Sequence, residues 1–211
     1  MTMETPVQGG DARSKRPLGF PPDSTVDVRQ VDDQNWETLR ALPYHATAED
    51  FEVPVAERTD FASVPRVFVW FIPRYGRYTK AAILHDYLCG IAVPAGRVSR
   101  IEADGIFRQA MRELGVPFLR RWIMWAAVRL SALTSAEGRK RWWTEAWRVA
   151  LIAAVALPVI TPAAVVIVIT LLLFYLIELV VWLPLKVAHV IRERRHRPAK
   201  KVNRPTLRWK L

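Results

Sequence analysis

The stretch SRIEADGIFRQAMRELGVP, residues 99–117, reads as one helix with both of its ends written in. Ser99 and Glu102 match the S-x-x-E capping box, where each side chain satisfies a backbone amide of the first turn. Ala103, Phe107, Ala110, Met111 and Leu114 recur at helical spacing, and Gly115 followed by Pro117 stops the run. One residue disturbs the pattern. Asp104 lies three positions before Phe107 and seven before Met111, so it borders the buried stripe. A carboxylate placed there needs partners.

Helices are expected on both sides. TKAAILHDYLC, residues 79–89, sets His85 and Asp86 inside an apolar run. Asp86 sits shortly before Gly90, at the negative end of a helix dipole. The sequence therefore predicts a cation beside it, either an arginine or a metal. FLRRWIMWAAVRLSAL, residues 118–133, reads as a third helix that mixes aromatic and basic residues. Upstream, WETLRALPYHA (36–46) and FEVPVA (51–56) read as strands bounded by Pro43 and Pro54. RVFVWFIP (66–73) reads as a third strand or a buried extended run. Strands first and helices after predict an α+β domain over residues 35–135, a few N-terminal strands followed by about three helices. Residues 1–34, rich in Pro, Gly, Asp and Ser, read as a disordered arm, with no apolar stretch of signal-peptide length.

The chain has 211 residues, 51% of them hydrophobic, and a formal charge of +11. Its one cysteine, Cys89, excludes an intramolecular disulfide and fits a reducing compartment. Residues 186–211 hold ten Lys or Arg and one acid, Glu193, for +9, which leaves +2 on residues 1–185. The basic character belongs to a tail that meets a polyanion.

Residues 149–185 contain a single charge, Glu178, in 37 positions. The part from 163 to 183 alone is long enough to cross a bilayer, which takes about 20 residues. Trp142, Trp143 and Trp147 precede it within a basic linker, residues 136–148, at the place where interfacial aromatics belong. Basic residues flank both ends, and the positive-inside bias wants both in the cytoplasm. That conflict predicts a re-entrant hairpin bent between Pro158 and Pro162, with a single span as the alternative. Glu178 snorkels or protonates near the span's end, or serves as a self-association contact.

Three blocks recur in order: RTDFASVPR (58–66), AAILHDYL (81–88) and RIEADGIFRQAM (100–111). Together they resemble the domain of unknown function family 1353, found in phage and prophage genomes. The later Gly115-Val116 turn and Ala127-Val128-Arg129 also match that family's pattern. The turn before the first block departs from it, reading VPVAER without the usual glycine. The resemblance covers roughly residues 35–135. It implies a compact domain and a phage-like origin, and no settled activity.

The polar residues of these blocks admit two readings. In one, Asp60 caps a turn that holds Ser63, and a polar network staples two helices to that turn, with Arg66 and Arg100 neutralising the carboxylates. In the other, Asp60, His85, Asp86 and Asp104 form a hydrolase centre, with His85, Asp86 and Asp104 holding a divalent metal that activates water, or with His85 as general base. No H-E-x-x-H, G-x-S-x-G or glycine-rich phosphate loop is present. The expected function is a membrane-associated interaction module on the cytoplasmic face of the host's inner membrane. The alternatives are a tethered metal-dependent hydrolase and a lysis protein. Expected partners are membrane lipids, their anionic headgroups contacted by Arg192, Arg194 and Arg195, and a protein partner. Nucleic acid ranks below lipid, because the tail has one aromatic, Trp209, for stacking.

Overall fold

The computed structural model describes residues 17–61, 64 and 68–194. They fall into two compact units, residues 17–61 with 77–140 and residues 64 and 68–76 with 141–194. The first is the α+β domain that the strand-then-helix order predicts.

Its strands are short. β1 (Val28–Gln30), β2 (Trp36–Thr38) and β5 (Arg58–Thr59) form an antiparallel sheet in the order β1-β2-β5. β3 (Leu42–His45) and β4 (Asp50–Val53) form a separate hairpin. The hairpin keeps a strict period of two. Leu42 pairs with Val53 and Tyr44 with Phe51, and all four are buried, while Pro43 and Glu52 face away. The expected strand 36–46 is thus two strands on two sheets. Pro43 lies inside β3 rather than bounding it, which a two-stranded sheet allows because each strand has an open edge.

Two other segments differ from expectation. The N-terminal arm is tied down from Gly19 onward. Gly19 exchanges both backbone hydrogen bonds with His45, at 2.9 and 3.0 Å, and Val28 begins β1. Gly19 has φ +104°, a backbone conformation that favours glycine, and a Cβ there would lie 2.9 Å from a Glu113 carboxylate oxygen, which would have to shift. Residues 1–16 of the predicted arm lie outside the described residues. In the second unit, the described part of 66–73 is a turn, not a strand. The Phe71 and Ile72 amides both donate to the Phe68 carbonyl, at 2.9 Å each.

Helix α1 (Thr79–Tyr87) continues into a π turn (Leu88–Ala92). It is buried nearly all round, with Ala81, Ile83, Leu84 and Leu88 fully enclosed, and packs on β3, β4 and β5. Helix α2 (Arg100–Glu113) packs between α1 and α3 (Phe118–Ser131). Both ends of α2 form as its sequence directs. The Ser99 hydroxyl accepts from the Glu102 amide at 3.3 Å, and the Glu102 carboxylate accepts from the Ser99 amide at 2.7 Å. At the other end Gly115 takes φ +69°, with Val116 donating to Met111 and Gly115 to Arg112, the Schellman pattern. A short helix, α4 (Ala136–Arg139), closes the unit.

The second unit is dominated by α5 (Ala146–Arg194), one continuous helix of 49 residues with Pro158, Pro162 and Pro184 inside it. It runs about 74 Å at 1.5 Å per residue, more than twice the ~30 Å hydrocarbon core. Its large apolar side chains face outward along its length, from Leu151 to Ile191, and it is long and apolar enough to be a candidate membrane span. The expected hairpin is not formed. A reversal at 158–162 would strand several turn amides and carbonyls in an apolar surround, whereas a continuous helix forfeits only one bond per proline. Glu178 lies exposed on α5.

Replacing Ser99 by Ala removes the cap of the central helix. Chemical denaturation of the full chain in detergent should show a loss of about 1 kcal/mol. An unchanged midpoint would mean that α2 is held by packing alone.

Candidate functional site

Asp104 sits on the buried stripe of α2 with Ala103, Phe107, Ala110 and Met111, and none of its surface reaches solvent. Three cationic or ionisable side chains from three helices converge on it. His85 of α1 approaches with Nε2 at 2.7 Å from Oδ1. Arg129 of α3, itself fully buried, donates from a terminal guanidinium nitrogen to Oδ2 at 2.8 Å. Arg100, one turn earlier on α2, donates from Nε to Oδ1 at 3.2 Å. The His85 ring also stacks on Phe107, with centroids 4.8 Å apart. Burial on its own would raise the Asp104 carboxyl. The hydrogen bond and charge of His85, with Arg100 and Arg129, more than offset it and hold the carboxyl below its ordinary value. Asp104 is therefore an ionised acceptor.

That state fixes the chemistry of His85. An ionised Asp104 can only accept, so His85 Nε2 carries the proton of the shared bond. The Cys89 sulfur lies 3.4 Å from this same nitrogen. A relay needs one ring nitrogen for the orienting carboxylate and the other for the nucleophile. Here both neighbours crowd one nitrogen. Burial, helped by the charges of Asp104 and Asp86, pushes the Cys89 thiol up to about 12 against the pull of Arg100, so it stays protonated.

His85, Cys89 and Asp104 offer ligand atoms within 4.8 Å of one another, a set with the right atoms for a metal. Charge opposes it. Two guanidiniums already neutralise the single carboxylate, and a dication would add to an excess of positive charge in a site shielded from water.

Asp86 turns the other way. Its Oδ2 accepts from the Thr59 hydroxyl at 2.6 Å, and it also accepts from the Asp60 amide. Burial, reinforced by the charges of Asp60 and Glu57, raises the Asp86 carboxyl to about 8 against those two hydrogen bonds. Among the described residues its partners are neutral donors from β5 and the residue after it, not the predicted cation. The Thr59 hydroxyl also accepts from the Phe61 amide at 2.9 Å. Phe61 has φ +65°, an unusual value for a bulky residue, and its ring lies 5.6 Å from that of Trp36.

Of the candidate residues, the structure brings His85, Arg100 and Asp104 together. Asp60 and Asp86 form a separate pair beside Thr59. Ser63 and Arg66 lie outside the described residues, as do the side chains of Arg192, Arg194 and Arg195. In the linker, Trp142 is buried, while Trp143 and Trp147 are 81% and 62% exposed. The residue that candidate selection missed is Arg129. It follows Trp122, Trp125 and Ala126 by seven, four and three positions, so a charge on an apolar helical stripe was its signal.

Residues 36–128 match the family model described as protein of unknown function DUF1353, the family that the three blocks resemble. Neither the curated proteins nor the solved structures give a significant match.

Two variants separate the acids. Arg129→Met leaves the Asp104 charge underpaired in the core and should cost about 3–5 kcal/mol of unfolding free energy at neutral pH. A loss under 1 kcal/mol would contradict the packing of these helices around Asp104. Asp86 behaves oppositely with pH. Its folded value lies above the unfolded one, so its contribution is full below about pH 4 and is lost as pH rises through about 8. Stability should therefore fall across that window, by part of the ~1.4 kcal/mol per pH unit that one full proton carries. Asp86→Asn should flatten the profile, and an unaltered slope would place Asp86 in a different state.

Proposed function

We propose that the protein is a membrane-anchored, non-enzymatic interaction module. The observation that carries this reading is α5, whose apolar side chains face outward over most of 49 residues. An amphipathic surface helix would need one polar face, and residues 149–185 offer Glu178 as their one charge. Crossing a bilayer is the state that removes this surface from water. About 21 residues, 163–183, match the ~30 Å core. Trp182 lies at one end of that stretch, where interfacial aromatics belong.

The closed cluster around Asp104 supports the non-enzymatic half. A hydrolase centre needs a base with a free lone pair, an open metal position or an activated nucleophile. His85 Nε2 is committed to Asp104, which leaves Nδ1 as the ring's remaining position for a base; the Cys89 thiol lies against the committed nitrogen and is protonated, and the carboxylate oxygens are occupied by His85, Arg100 and Arg129. The folded unit serves in this reading as a binding surface on the face of the bilayer that Arg139, Lys140 and Arg141 adjoin. Across the span, the Lys and Arg residues of the tail meet the lipid headgroups of the opposite leaflet.

Carbonate extraction of the full chain from cell membranes tests the anchor. The chain should stay in the pellet and be released by detergent; release by carbonate alone contradicts it. Reporters fused to the two termini should read opposite faces, since α5 does not reverse. Reporters on the same face would rule out a single crossing.

A further inference from the structure

We propose that the turn joining α2 to α3 is a lipid-contact tip that seats the folded unit on an anionic bilayer surface, an inference that rests on the membrane-anchored reading above. Phe118 and Leu119, adjacent in the first turn of α3, are 68% and 51% exposed, and Pro117 beside them is exposed as well. A single exposed leucine is ordinary. A run of exposed apolar residues rimmed by polar groups marks a contact surface. The rim is mostly basic. Arg120 and Arg121 follow directly, and Arg112 is exposed on the last turn of α2, where the neighbouring Glu113 is engaged by Tyr44 and Gln109.

The guanidiniums are held by rings. Arg121 lies 5.5 Å from the Phe118 centroid and Arg108 4.3 Å from that of Trp122. The Phe118 and Trp122 rings are 6.1 Å apart. Among the described residues Arg120 and Arg121 make no ion pair. This arrangement fits the headgroup region, with the apolar tip at the acyl boundary and the guanidiniums at phosphate depth. The chain also supplies proximity. α3 ends at Ser131 and α5 begins at Ala146, so the tether keeps the tip at high local concentration near a bilayer that α5 enters. A weak contact is then sufficient. An acidic groove on a protein partner presents related chemistry and is the competing outcome.

The test uses the full chain with Leu119→Cys carrying an environment-sensitive fluorophore, on a Cys89→Ser background. If that background lowers helicity, Cys89 is kept, and the signal of the chain with Cys89 as its one cysteine, labelled in the same way, is subtracted. Flotation with vesicles reports the anchor independently of the probe. In vesicles with about one third anionic lipid, the probe should shift to the blue and be quenched by headgroup-proximal nitroxide lipid. The shift should weaken several-fold in purely zwitterionic vesicles and in Arg120→Glu with Arg121→Glu, with flotation unchanged. A chain that floats while its probe stays water-like in every vesicle overturns the tip and leaves the anchor standing, which is the result a protein-facing surface would give. A chain that does not float overturns the anchor; the probe on vesicles added to that chain then decides the tip by the same shift.

Discussion

The helices of the folded unit are packed around a carboxylate with no exposed surface. Desolvating a charge costs several kcal/mol even after relaxation, so Asp104 is tolerable only where compensating donors arrive together. They come from α1 as His85, from α2 itself as Arg100 and from α3 as Arg129. The pairing also constrains geometry. Both oxygens are committed, Oδ2 to Arg129 and Oδ1 to His85 and Arg100, so a helix that slipped by one turn would leave a buried charge uncompensated. The same contacts that saturate both carboxylate oxygens join the three helices.

Asp86 shows how differently a second acid is accommodated nearby. It follows His85 in sequence, yet successive helical residues point about 100° apart. His85 turns to the helix pair and Asp86 to β5. Asp104 is kept ionised by cations, and Asp86 is kept protonated up to about pH 8, chiefly by burial. The His-Asp pair that looks like one functional unit in the sequence is therefore split between two environments. Each ties α1 to a different neighbour.

What could be read in advance follows from how local each signal is. The Ser99–Glu102 box and the Gly115 stop are written within one turn of where they act, and both form. The apolar period of α2 placed Asp104 inside, and the alternation in the hairpin follows the pleat. Arg129 was harder, since its partner lies 25 residues away and only its place on an apolar stripe betrays it. β1 and β5 are two or three residues long, too short for a periodic signal, and they exist through pairing with β2. At Pro158 and Pro162 a strong local breaker was overridden: the helix continues through both, at the cost of one backbone bond per proline.

The central claim is that the Asp104 cluster is closed. The most direct measurement is a titration of the detergent-solubilised full chain with Zn²⁺ and Mn²⁺, followed through the imidazole resonances of His85. These resonances should neither shift nor broaden as metal is added, because Nε2 is protonated on an ionised Asp104 whose charge two arginines already offset. Saturable perturbation of the His85 ring, reversed by chelator, would contradict it and reinstate a metal centre.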